Sequence, residues 1–206
     1  KSTTAINLGG YLAAMGKYVL LVDLDPQANA TAGLGIHLAE DHINLYHSLI
    51  NGANPDAIIR KSRLFGFDIL PAAASLAGAT VELIDTEERE YRLRNVLNHI
   101  RTNYDYILID SPPSLGLLTI NGLVAAEQVI IPVQSEYYAL EGLTQLIKTI
   151  EMVRTSLNPR LQILGVLLTM YDKRNKLANE IVAEVKKNFP GNVFETIIPR
   201  SVSLAE

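Results

Sequence analysis

The chain has 206 residues, 48% hydrophobic and 19% charged, with 18 basic against 22 acidic side chains and a net charge of -4. This composition fits a globular protein able to bury a core; it shows no apolar run near the roughly 20 residues of a bilayer span and no overall positive charge that would advertise nucleic-acid binding. The absence of cysteine excludes disulfides and thiolate metal sites and fits a reducing cytoplasm.

In chain order, residues 3–15 place Ile6, Leu8, Leu12 and Met15 at helical spacing, with Gly16 as a stop signal. The apolar run "YVLLVDLD" at 18–25 predicts a strand buried on both faces. "FDILPA" (67–72), "DYILID" (105–110), "QVIIPV" (128–133) and "LQILGVLLT" (161–169) predict further strands, and "NVFETIIP" (192–199) a weaker one. Helical patterns occupy residues 87–101, 136–156 and 176–188. Alternation of this kind predicts an α/β fold, a mostly parallel twisted sheet with helices on both faces. No internal repeat or Gly/Ser linker interrupts it, so residues 1–206 are expected to form a single domain.

Ligands of such sheets bind beyond the carboxyl ends of the strands. One strand ends in Asp23, Leu24, Asp25 and Pro26, and another in Asp110 followed by "SPPSLG". A single aspartate before proline or serine is ordinarily a turn residue. Two such strand ends, with "KST" opening a helix upstream, point instead to a magnesium–phosphate site. In the loop G-x-x-x-x-G-K-[ST], backbone N–H groups and a helix N-terminus cradle phosphates, the lysine neutralises them and the hydroxyl ligates magnesium. Lys1 and Ser2 match the last two positions of that loop, and Asp110 is the natural metal-site carboxylate.

The stretches "KSTTAINLG", "VLLVDLDPQANATAGLG", "YDYILIDSPPSLGLLTINGL", "IPVQSEYYALEGL", "GVLLTMYDKRNKLANE" and "IIPRSVSLAE" run through nearly the whole chain. In these the sequence resembles the ParA/Soj family of chromosome- and plasmid-partitioning ATPases, among the deviant P-loop ATPases that include MinD. The resemblance implies a P-loop NTPase-type three-layer sandwich, slow hydrolysis of ATP to ADP with Mg2+, an ATP-dependent homodimer, non-specific DNA binding, a ParB-like partner protein, no membrane, and a cytoplasmic, nucleoid-associated location. Relatives carry K-G-G-V-G-K-[ST]-T where this chain opens on its second lysine. The family's first strand, its glycine-rich loop and its final helical region are therefore expected to lie outside residues 1–206.

Carried over position by position, the resemblance implies that Lys1 contacts the β/γ-phosphates, Ser2 ligates magnesium and Thr3 lies near the α-phosphate. Asp25 matches the aspartate that orients the attacking water, Asp23 supports the magnesium shell, and Asp110 is the second magnesium-site aspartate. "SPPSLG" resembles the segment that senses the γ-phosphate, and Met170 and Pro199 the adenine-side loop. "YDKRNKLANE" gathers Lys173, Arg174 and Lys176 at a strand-to-helix turn. A few lysines on a turn are usually a solvated loop; the family reading is a DNA-phosphate contact centred on Arg174. Ser203 stands where many relatives carry a second DNA-contacting arginine, and "SEYYALEGL" lies near the family's dimer surface.

Three alternatives share the scaffold. A MinD-like membrane-associated regulator of division-site placement needs a terminal amphipathic helix. An iron–sulfur carrier needs cysteines. A non-catalytic nucleotide-dependent scaffold would not need Asp25 and Asp110. His37, His42, His47 and His99 show no metal-site spacing and are expected to be surface or packing residues.

Overall fold

The computed structural model describes residues 1–39, 42–136 and 139–201. They divide into two compact units, the break falling after Ala126. The first contains α1 (Ser2–Ala14), β1 (Val19–Asp23), α2 (Asn29–Gly33), α3 (Leu45–Asn51), α4 (Pro55–Ile58), β2 (Arg60–Lys61), β3 (Phe67–Leu70), α5 (Leu76–Glu82), α6 (Arg92–Asn98), β4 (Tyr106–Asp110) and α7 (Leu117–Ala125). The second contains β5 (Gln128–Gln134), α8 (Ala139–Ser156), β6 (Gln162–Thr169) and α9 (Lys176–Asn188).

The first unit is built around β1, whose five residues are all buried. The sheet order is β2-β3-β1-β4, with β1 parallel to both neighbours and only the short β2 antiparallel. Successive side chains of a strand point to opposite faces, and the two faces carry separate cores. Leu20 and Val22 join Leu45, Leu49, Leu76, Leu83, Leu93 and Leu118 beneath α3, α5, α6 and α7. Val19 and Leu21 join Phe67 and Ile69 against Ile6, Leu12 and Ala13 of α1. This is the expected α/β sandwich, a mostly parallel sheet covered by helices on both sides.

The approach of α1 to the sheet depends on one glycine. A Cβ on Gly9 would stand 2.4 Å from the tip of the fully buried Phe67 ring. Gly9 is the buried residue of α1, whereas Met15, one of the apolar residues of the helical pattern, is 76% exposed. Gly9→Ala should destabilise the full-length protein by about 1–3 kcal/mol through overpacking, despite alanine's better helix propensity. Equilibrium urea unfolding measures this, and an unchanged midpoint would mean that Phe67 yields at little cost.

The second unit pairs β5 and β6 in parallel, with a register irregularity after Val129. Leu143, Ile150 and Val153 of α8 and Ala178, Ile181 and Val185 of α9 are buried. Residues 192–199 form no named strand, contrary to the weaker expectation. They track β6 through isolated bridges from Val193 to Val166 and from Pro199 to Tyr171. Proline lacks the N–H that a regular ladder requires there. The expected helix at 87–101 is also broken: α6 is flanked by 3-10 turns at Arg89–Tyr91 and Arg101–Asn103, with Glu88 in the left-handed region at φ 52°.

Candidate phosphate and magnesium site

The register of the sheet brings the strand-end carboxylates together. Asp23 of β1 is the direct Cα partner of Asp110 of β4, and the Leu24 N–H donates to the Asp110 carbonyl at 2.9 Å. Asp23, Asp25 and Asp110 are all buried, at 0%, 8% and 3% exposure. Lys1 and Ser2 begin α1, which has no side-chain cap on its first turn. The exposed N–H groups of such a turn and the helix dipole favour an anion.

The two paired aspartates have different surroundings. Asp23 is satisfied within the protein: one oxygen accepts from the Asp25 N–H at 3.2 Å, and the other accepts from the Thr31 N–H at 2.8 Å and the Thr31 hydroxyl at 2.6 Å. Asp110 keeps a buried Oδ2 with no hydrogen-bond partner. Burial pushes the Asp110 carboxyl up from its ordinary range, opposed by a hydrogen bond with the Ser2 side chain and by the charge of Lys1, while Asp25 adds to the rise. Burial also raises Asp23, against the bonds from Thr31 and Asp25. Lys1 is lowered by burial, with Asp110 and Asp25 acting in the opposite sense.

These surroundings test whether magnesium fits. An orphaned, buried carboxylate oxygen beside a serine hydroxyl is a hard-oxygen donor pair of the kind magnesium takes. Among the described residues no group of three His, Cys, Asp or Glu side chains could hold a metal ion alone. That also suits magnesium, which takes one or two protein oxygens and completes its shell with phosphate and water. Both oxygens of Asp23 already have protein partners, unlike Oδ2 of Asp110.

The Lys1 ammonium donates to the Pro112 carbonyl at 3.1 Å, tying the start of α1 to the "SPPSLG" segment. Asp25 is held by its own turn: its Oδ1 accepts from the Gln27 N–H at 2.9 Å, and its carbonyl accepts from the Ala28 N–H at 2.9 Å. Ala28 takes the left-handed conformation, at φ 53°. That conformation costs a non-glycine residue about 1–2 kcal/mol, and the surrounding hydrogen bonds hold it. Lys1, Ser2, Asp23, Asp25 and Asp110 therefore belong to one neighbourhood in the first unit, with Thr3 one residue further along α1. Pro112 lies in the "SPPSLG" segment that the sequence already marked, and Thr31 is the member that sequence reasoning assigned no role, since a threonine in "ANATAG" could serve any turn.

The remaining expected residues lie in the second unit. Met170 is left-handed at φ 54°, immediately after β6. The next residue, Tyr171, bridges to Pro199, and the Arg200 N–H donates to the Tyr171 carbonyl at 2.9 Å, so Met170 and Pro199 are brought close. Lys173, Arg174 and Lys176 are exposed on the turn into α9. Arg174 grips Asp172 with two hydrogen bonds, of 3.0 Å from Nε and 2.8 Å from Nη2, which hold the Asp172 carboxyl down at about 2. Ser203 and the tyrosines of "SEYYALEGL" lie outside the described residues. His47 closes the capping box of α3, a packing role as expected.

A family model described as an AAA domain matches residues 1–163. The chain is 52% identical, over all its 206 residues and 81% of the relative's length, to the sporulation initiation inhibitor protein Soj of Bacillus subtilis (strain 168). It is 50% identical to the chromosome partitioning protein ParA of Caulobacter vibrioides (strain NA1000 / CB15N), over its full length and 78% of that protein. Among solved structures, it is similar to the cobyrinic acid a,c-diamide synthase of Mycobacterium smegmatis with bound ATP analog and magnesium. That likeness has a TM-score of 0.91 and 37% identity, covering 97% of this chain and 82% of that one.

Proposed function

Because this chain belongs to the ParA/Soj family of P-loop ATPases, we propose that it works as an ATP-driven switch in DNA partitioning, its ATP form dimerising and binding DNA without sequence preference. It is an ATPase, and its cofactor is magnesium. The observation that carries the reading is the orphaned Asp110 Oδ2 beside Ser2 and Lys1, at the carboxyl edge of the sheet and the open end of α1. Identities of 52% to the Soj protein and 50% to a chromosome partitioning protein, against 37% to the synthase, favour partitioning over amide synthesis. Residues 1–206 are taken as one ATPase domain, since those relatives match across both units.

The chemistry is positional. Ser2 and Asp110 would hold magnesium, which supplies charge neutralisation at the phosphate oxygens. Lys1 exchanges the neutral Pro112 carbonyl for a β/γ-phosphate oxygen, which gives the "SPPSLG" segment a direct report of nucleotide. The first turn of α1, including Thr3, presents N–H groups to the phosphates. Asp25, fixed by the Gln27 N–H, accepts a hydrogen bond from the attacking water and orients it, a task that needs no strong base. Met170 and Pro199 are assigned to the adenine side. Asp23 lies behind the metal pair, and a ParB-like protein is the regulator that family membership implies.

The DNA contact is assigned to Arg174, Lys173 and Lys176. Phosphate contacts of this kind weaken with salt, the logarithm of the affinity falling by about 0.9 per contact per decade of salt on duplex DNA. Arg174 must give up Asp172 to make such a contact, and an exposed pair of this sort is worth little in water. Binding of the full-length protein to random duplex DNA, with no nucleotide, ADP or ATP, tests the assignment. The expected result is salt-sensitive binding with ATP only, and a salt slope reduced by about 1 in Arg174→Ala. DNA binding in no nucleotide state, with ATP turnover intact, would sink the DNA reading and turn attention to anionic vesicles.

A further inference from the structure

We infer that Thr31 is a positioning residue for hydrolysis: its hydroxyl, through Asp23, holds Asp25 in its working place. The inference rests on the assignment of Asp25 to the attacking water and adds a residue to that machinery. Thr31 is 3% exposed and lies on α2, away from the strand ends in sequence. Its hydroxyl donates to Asp23 Oδ2 at 2.6 Å and accepts from the Ala72 N–H at 3.1 Å. The other oxygen of Asp23 accepts from the Asp25 N–H at 3.2 Å. One side chain therefore ties the end of β1, the segment after β3 and the start of α2 into a single node, and the backbone of Asp25 hangs from it.

The node is directional. The Thr31 hydroxyl has one proton, and Asp23 takes it; its lone pair takes the Ala72 N–H. Removing the hydroxyl leaves the buried Ala72 N–H without an acceptor and strips one of three hydrogen bonds from Asp23. Asp23 can then swing, and the Asp25 N–H loses its fixed partner. Misplacing a catalytic group by about 1 Å can cost about 10²-fold in rate. Lys1, Ser2 and Asp110 make none of these bonds, so nucleotide affinity has no reason to follow.

The test uses full-length protein carrying Thr31→Val, which keeps the shape, Thr31→Ala, which removes the hydroxyl without adding bulk, and Thr31→Ser, which keeps the hydroxyl. Steady-state ATP turnover gives kcat and KM, a fluorescent ATP analogue with magnesium gives affinity, and a thermal melt reports folding. The expected result is a kcat about 10²-fold lower in the Val or Ala variant, with analogue affinity unchanged and the Ser variant near wild type. In an Asp25→Ala background, Thr31→Ala should lower the residual turnover no further, because groups acting as one unit are not additive. A full kcat in the Ala variant, a matching loss of affinity, or additive effects with Asp25→Ala would each overturn the inference. Full turnover in Asp25→Ala alone would instead remove the role of Asp25 on which it rests.

Discussion

Asp25→Ala in the full-length protein should lower kcat for ATP hydrolysis by about 10²-fold or more, the scale for losing the alignment of the attacking group. Binding of ATP should persist, and so should the ATP-dependent dimer. The reason lies in what Asp25 does not touch. Its carboxylate accepts from the Gln27 N–H, within its own turn. The oxygen we assign to metal belongs to Asp110, and the ammonium we assign to phosphate belongs to Lys1. Losing Asp25 leaves both in place, so the protein should be trapped in its ATP form. Size-exclusion chromatography with ATP and phosphate-release assays check the two halves separately. Turnover near wild type would remove Asp25 from its role.

Asp110→Asn should act in two opposite directions. Magnesium-dependent nucleotide binding should be lost, because a neutral amide replaces the carboxylate beside Ser2. The nucleotide-free protein should become more stable near neutral pH, because the amide removes a buried charge although it still leaves a polar atom there. Burial raises the Asp110 carboxyl above its unfolded value. The folded state therefore binds the proton more readily than the unfolded chain within the window between the two values. By linkage, the stability owed to this group is highest below that window and falls as pH rises through it. At neutral pH the charge is a cost that only ligand repays, and asparagine removes it. Melting curves with and without magnesium and nucleotide should show the variant melting higher alone and failing to gain on ligand addition. A variant that melts lower than wild type without ligand would refute the buried-charge argument.

Much of the fold was legible because unbroken apolar runs mark strands, and "YVLLVDLD", "DYILID" and "QVIIPV" form β1, β4 and β5. Burial on both faces holds among these only for β1, since β4 and β5 are largely half-buried. The amphipathic helices were legible for a similar reason, and residues 176–188 form α9 as expected. The short helices were not. Leu117–Ala125 is mostly buried and carries no polar face to give a helical stripe, and Leu76–Glu82 has only one turn's worth of pattern. Met15 shows the converse error, since helical spacing marks a face without saying what covers it.

The sequence by itself determined that acids stand at the ends of two apolar strands and that a lysine and a serine open a helix. Only the tertiary structure decided what each oxygen faces. Asp23 and Asp110 end similar strands and are direct partners across the sheet; locally they differ in that Asp23 accepts from the Asp25 N–H two residues on, where Asp110 has Pro112, which has no N–H. Thr31, brought in by α2, satisfies Asp23, whereas α1 brings Asp110 a serine and a lysine and leaves one oxygen open. Burying a carboxylate is tolerable only with partners; those of Asp23 come from the turn and short helix that follow it, whereas those of Asp110 come from the distant start of the chain. Hence one aspartate is fully partnered within the protein, and the other keeps an open oxygen, the one proposed to take magnesium.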